Sequence, residues 1–175
     1  MLSSAFDLGE EIKLRTVPYK LHNALWEKYT VTHLNLHFDN WQKIKYLNEA
    51  SNDLNPDIDA IPNNTGGLYL FFIKCHIIAG ITEYPFYIGR ALFTEHQNLR
   101  KRVKEYFKYS KTNERPRISF MFKYWASDLH LAYLVLDGND NIMELEAQLI
   151  NSLLFPMNEE IPDQEVRHAV KAFQL

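Results

Sequence analysis

Apolar and polar positions along the chain change period several times. Residues 20–29 (KLHNALWEKY) have a weak helical pattern. Residues 31–38 (VTHLNLHF) alternate, with Leu34, Leu36 and Phe38 on one side and His33, Asn35 and His37 on the other, which predicts a strand. Trp41, Ile44, Leu47 and Leu54 fall near helical spacing, so a helix is expected over 40–54. The stretch NPDIDAIPNNTGG then supplies Pro, Asn, Asp and Gly, the composition of a long turn or linker. GGLYLFFI (66–73) reads as a buried strand and YPFYIG (84–89) as a second, joined by a loop or hairpin extension over 74–83. Thr94 with Gln97 has the form of a capping box, opening a helix to about Tyr109. Residues 118–125 and 130–136 read as strands. Asn141 with Glu144 signals the start of a last helix, with Ile142, Leu145, Leu149 and Leu153 on one face and a stop at Phe155-Pro156.

The order after residue 62 is therefore β-β-α-β-β-α. It predicts an α+β fold, a small mixed or antiparallel sheet flanked by helices, with a mainly helical N-terminal extension. The expected division is 1–62, extension; 63–160, main module; 161–175, C-terminal tail.

Composition changes this picture little. The chain has 175 residues, 46% hydrophobic and 23% charged, an ordinary globular balance for about one domain. The N-terminus lacks the basic start and apolar run of a secretory signal, and no apolar run could span a membrane. One cysteine, Cys75, is expected to be a buried thiol on a strand, and with no disulfide to form, the expected compartment is reducing and cytoplasmic.

Charge adds more. The net charge is −3, yet residues 97–117 hold eight basic side chains (Arg100, Lys101, Arg102, Lys104, Lys108, Lys111, Arg115, Arg117) against two acids. That segment is at +6 and the remainder at −9; residues 137–165 hold eight acids and no Lys or Arg. A basic segment in an acidic protein is either a phosphate-facing surface or a solvated helix face. The first 62 residues carry six basic and nine acidic side chains, which suits a docking or dimerisation element better than a DNA-binding arm.

Two helices carry candidate chemistry. In the first, Leu99, Val103 and Phe107 form the apolar stripe, and Arg102 and Tyr106, four apart, share a face beside it. In the second, Glu146 lies next to Leu145 at the edge of the core-facing side. A carboxylate there is either a surface acid at the margin or a buried one, and a buried one needs a metal ion or an arginine to compensate it. His33 and His37 lie four apart on the expected strand, about 13 Å, too far to share one ion, and read as surface histidines. The chain has no C-x-x-C pair, phosphate-binding glycine loop or Ser-His-Asp signature.

A strand with Gly67-Leu68-Tyr69, a strand with Tyr87-Ile88-Gly89, a helix with Arg102, a helix with Glu146 and then Asn158 after Pro156 form an ordered set. That set resembles the GIY-YIG nuclease family over residues 66–158. LRKRVKEYF (99–107) resembles the corresponding helix of the bacterial nucleotide-excision-repair incision subunit, and ELEAQLI (144–150) the family's glutamate helix. Leu68 stands where the family's name has isoleucine, and the 18-residue spacing from Tyr69 to Tyr87 is longer than in compact members.

The resemblance implies roles. Tyr69 and Tyr87 match the tyrosines of the two motifs, Arg90 the basic residue after the second, and Arg102 the family arginine. Tyr106 stands where members carry Tyr or His, Glu146 matches the single carboxylate metal ligand, and Asn158 the late asparagine that helps hold the site together. It favours Tyr69 as the group that activates water, with Tyr87 or Tyr106 orienting. Phosphodiester hydrolysis suits the set, because cations must meet the charge gathering on the phosphate oxygens. Arg102 and Arg90 could supply two, and one Mg²⁺ or Mn²⁺ ion on Glu146 another. Arg90, Arg100, Lys101, Lys104, Lys108, Lys111 and Arg115 are the candidate DNA contacts.

The expected activity is thus a metal-dependent DNA endonuclease, either restriction-type or the nuclease subunit of a repair or defence complex. RNA is an alternative substrate for the same chemistry, and the N-terminal extension could serve a homo-oligomer or a protein partner. The competing expectation is a non-catalytic module of the same fold that binds nucleic acid or protein.

Overall fold

The computed structural model describes residues 4–78 and 81–172. Its centre is β2 (Gly66–Lys74), buried along all but its last residue. That fits a strand reading GGLYLFFI, apolar on both sides, because both sides of it are covered. β2 pairs antiparallel with β3 (Glu83–Ala91) on one side and with β4 (Leu129–Leu136) on the other; β1 (Gln42–Lys45) pairs antiparallel with β4. The order β1-β4-β2-β3 leaves β3 as an edge strand. Every pairing among the described residues is antiparallel, so the protein is α+β: there, a four-stranded antiparallel sheet is packed with six helices.

Alternation along the strands sorts side chains into two layers. Tyr69, Phe71 and Ile73 of β2 join Tyr87 of β3 on one face, packed against Leu99 and Val103 of α3 (Leu99–Glu105), Tyr106 of the 3-10 turn that continues it (Tyr106–Ser110), and Ile118, Met121 and Phe122 of α4 (Pro116–Trp125). Leu68, Leu70 and Phe72 point the other way, onto Ile142, Leu145 and Ile150 of α5 (Asn139–Leu153). The N-terminal helices, α1 (Ala5–Arg15) and α2 (Asn23–Lys28), bury no residue, and α6 (Gln164–Ala172) ends the described chain.

Several expectations give way to this arrangement. Residues 118–125 form the helix α4, not a strand. Pro116 occupies its first turn, and the buried positions 118, 121 and 122 have helical spacing that the β-favouring Ile, Phe, Tyr and Trp disguise. The module is therefore β-β-α-α-β-α. No helix forms over 40–54: Trp41 and Ile44 belong to opposite faces of the sheet, the mark of a strand, and Leu47 bridges to Leu54 across a turn. Residues 31–38 have no strand partner, and Asn35 bends them by accepting from the His37 amide at 3.0 Å. Their alternation is nevertheless real as burial, since Val31, Leu34, Leu36 and Phe38 all pack on the α5 side.

The sheet and core run across residue 62, because β1 and the buried Tyr46, Leu47, Ile58 and Ile61 precede it. Residues expected to form the tail include α6, with the Asp163 amide donating to Asn151 at 3.0 Å. Thr94 and Gln97 close a turn, whereas Asn98 caps α3 through the Lys101 amide at 2.9 Å. α5 begins at Asn139 after Gly138, whose φ of 80° suits glycine, so Asn141 is not its cap. Leu153 at the end of the expected stripe is exposed, and Ile150 takes the core position. Cys75 lies just beyond β2 and is only partly buried. Among the described residues no helix is long and apolar enough to cross a membrane.

Candidate functional site

Three tyrosines from three elements meet beneath the α3 side of the sheet. The Tyr106 hydroxyl bonds that of Tyr69 at 2.8 Å and that of Tyr87 at 2.9 Å. All three are buried. Tyr69 comes from central strand β2, Tyr87 from edge strand β3, and Tyr106 from the turn after α3, held in register by Leu99 and Val103 in the core. Gly89 stands opposite Tyr69 in the β2–β3 register, and the Tyr69 ring lies over it: a Cβ there would sit 2.4 Å from the phenol oxygen. The glycine of the second motif is thus a mid-strand vacancy for the first motif's tyrosine, not a turn.

Two guanidinium groups flank the phenols. Arg102 stands 5.6 Å from the centre of the Tyr106 ring. Arg115 stands 5.6 Å from the Tyr87 ring and 5.7 Å from those of Tyr106 and Tyr109, and donates to the Tyr106 hydroxyl at 3.4 Å. Pro116, in the first turn of α4, holds Arg115 just outside the helix in a non-helical conformation. Arg102 also donates to Glu105 at 3.1 Å.

Burial sets the acid-base state of this cluster. Desolvation, reinforced by the neighbouring Tyr106, holds the Tyr69 and Tyr87 phenols above the ordinary tyrosine value; Arg102 acts against the shift at Tyr69 and Arg115 against it at Tyr87. Both are neutral at physiological pH, suited to giving and taking hydrogen bonds. Such phenols ionise near pH 10 in the unfolded chain and later in the fold. Their contribution to stability is complete below pH 10 and is lost as pH rises above it. Urea unfolding of wild type should show stability falling as pH rises above 10, with a shallower fall for Tyr69→Phe.

Arg90 and Glu146 meet on the other face. They follow from the same alternation that sends Tyr87 and Gly89 toward α3: Arg90 points to α5, where its guanidinium bonds the Glu146 carboxylate. Glu146 is 9% exposed. Of the two alternative compensations for a buried carboxylate, the structure contains the arginine.

Asn158 works at the edge between these groups. Its side-chain oxygen accepts from the Ile88 amide at 3.0 Å and its amide donates to the Ile88 carbonyl at 2.9 Å. It thus occupies both outward-facing backbone groups at the middle of β3, as a further strand would. Arg117 in turn donates to the Asn158 carbonyl at 3.0 Å.

The other basic candidates are distributed. Arg100, Lys101 and Lys104 line a shallow cleft with Asn63, Asn98 and Glu105. Arg100 donates to the Ile61 carbonyl, Lys101 to that of His96 at 2.6 Å, and Lys104 pairs with Asp59. Lys108 lies 3.9 Å from Glu114, and Lys111 stands over the Phe107 ring. His33 and His37 are exposed. Among the described residues no group of three or more His, Cys, Asp or Glu could hold a metal ion. A cation at Glu146 would therefore have one protein carboxylate and draw its remaining ligands from water or substrate, a set that suits Mg²⁺ or Mn²⁺. Arg90 would have to share or release that carboxylate.

The association of Arg115 with the tyrosines was legible only as charge. Its sole sequence signal is the Arg-Pro pair at the start of a helix that reads as a strand. No family model, curated protein or solved structure matches the chain.

Proposed function

We propose that this protein is a divalent-metal-dependent endonuclease of GIY-YIG type that hydrolyses DNA phosphodiester bonds. The observation that carries the reading is the hydrogen-bonded cluster of Tyr69, Tyr87 and Tyr106, drawn from three separate elements and flanked by arginines. Hydroxyls brought together in this way orient a water molecule and a phosphate oxygen, and a guanidinium beside them meets the charge that develops on phosphorus-bound oxygen. In this reading Arg102 faces the phosphate, the neutral phenols position the attacking water, and Asn158 holds the strand that bears Tyr87. Glu146, on the α5 side of edge strand β3, would hold the cation, which when bound would supply positive charge to the phosphate and leaving oxygens. A restriction-type enzyme and the nuclease subunit of a repair or defence complex both fit, with RNA as the alternative substrate. Within residues 1–62, the exposed helices α1 and α2 are the proposed docking or dimerisation surface.

The Arg90–Glu146 pair favours a second reading, a non-catalytic nucleic-acid- or protein-binding module, because the carboxylate is already compensated without a metal. Nicking of supercoiled plasmid separates the two. Wild type with Mg²⁺ or Mn²⁺ at low salt should give nicked or linear DNA, and Tyr87→Phe should be slower by about 100-fold. Binding without cleavage by wild type would favour the module.

A further inference from the structure

We infer that Arg115 supplies a further cation, beside Arg102, to the DNA phosphate at the tyrosine cluster. This rests on the reading of that cluster as a phosphodiester-cleaving site. Arg115 belongs to the tyrosine face. Its guanidinium lies within 5.7 Å of the Tyr87, Tyr106 and Tyr109 ring centres and reaches the Tyr106 hydroxyl, through which Tyr69 and Tyr87 are joined. Aromatic faces orient a planar guanidinium while leaving most of its N–H groups to donate, which suits a phosphodiester better than a flexible ammonium would. Arg115 is partly exposed, so a polyanion can reach it. No carboxylate appears among its ring and hydrogen-bond contacts, whereas Lys104 pairs with Asp59 and Lys108 lies beside Glu114. The site's ligand is a phosphate ester held by Arg102 and Arg115 at the two flanks of the phenols.

The test compares wild type, Arg115→Gln and Arg115→Lys in single-turnover cleavage at saturating DNA and Mn²⁺. DNA affinity is measured by fluorescence anisotropy without metal. Both variants should cleave about 100-fold more slowly, with affinity changed by no more than about threefold. Failure of Lys to rescue marks the planar guanidinium, not charge alone. Should the Gln variant melt early, the Lys variant, which keeps the stem over the rings, decides. Unchanged rates, or a loss accounted for wholly by weaker binding, would overturn the inference.

A metal-free arm separates this inference from the nuclease reading. Inorganic phosphate is titrated against the protein and followed by ³¹P line broadening. Broadening that requires Arg115, in a protein that cuts nothing, would support the phosphate site and remove the nuclease. Broadening indifferent to Arg115, together with normal cleavage by its variants, would remove the site.

Discussion

Glu146→Gln is expected to reduce metal-dependent cleavage by about 1,000-fold or more, since it removes the only carboxylate proposed to hold the cation. The change keeps the side chain's shape and one of its oxygens. Its partner Arg90 has a side chain 41% exposed, so water can solvate the guanidinium when the negative charge is gone. Stability should therefore move by no more than about 1 kcal/mol, because a partly exposed ion pair contributes little net. The two readouts together are decisive: single-turnover cleavage in Mg²⁺ and in Mn²⁺, and urea unfolding of the same preparations. Retention of more than a tenth of wild-type rate would remove Glu146 from the chemistry. Loss of rate together with several kcal/mol of stability would mean that the carboxylate serves the fold.

Gly89→Ala should be strongly destabilising. The added Cβ would lie 2.4 Å from the Tyr69 hydroxyl oxygen, 2.5 Å from Cζ and 2.8 Å from Cε2. Real Cβ contacts are not that short, so the ring or the strand must move. Tyr69 is 1% exposed and packed against Phe71 and Tyr106, so its ring has little room to yield. Overpacking of this kind costs about 3 kcal/mol. The displaced phenol would also lose its 2.8 Å bond to Tyr106. Equilibrium denaturation measures the first effect and cleavage rate the second. Tyr69→Phe should not rescue Gly89→Ala, since Cζ still collides, whereas Tyr69→Leu should recover part of the loss. A Gly89→Ala protein within 1 kcal/mol of wild type would show that the ring does not lie over this glycine.

The core strands and the glutamate helix were legible because each carries its own period. β2 is apolar at every step and flanked by turn residues, and α5 repeats apolar residues at helical spacing over fifteen positions. Segments whose state depends on a distant partner were not. Gln42–Lys45 is too short to show a period and is a strand because β4 offers it a free edge. Residues 31–38 have the alternation of a strand without any strand to bond. α4 combines β-favouring residues with helical burial, and tertiary contacts with Tyr46 and the tyrosine face overrode the local preference.

At the site, the sequence by itself determined which chemistry-bearing residues exist and in what order. It also determined that Arg102 and Tyr106, four residues apart, lie side by side and that Glu146, if buried, needs a positive partner. Only the tertiary structure decided which residues meet. Strand alternation places Tyr87 and Arg90 on opposite faces although they are three residues apart. Arg90 is thereby committed to Glu146, and Arg115, twenty-eight residues beyond Tyr87, is brought to its ring. The physical reason is that side-chain direction in a strand is local, whereas proximity between elements depends on how the sheet pairs and what packs on each face.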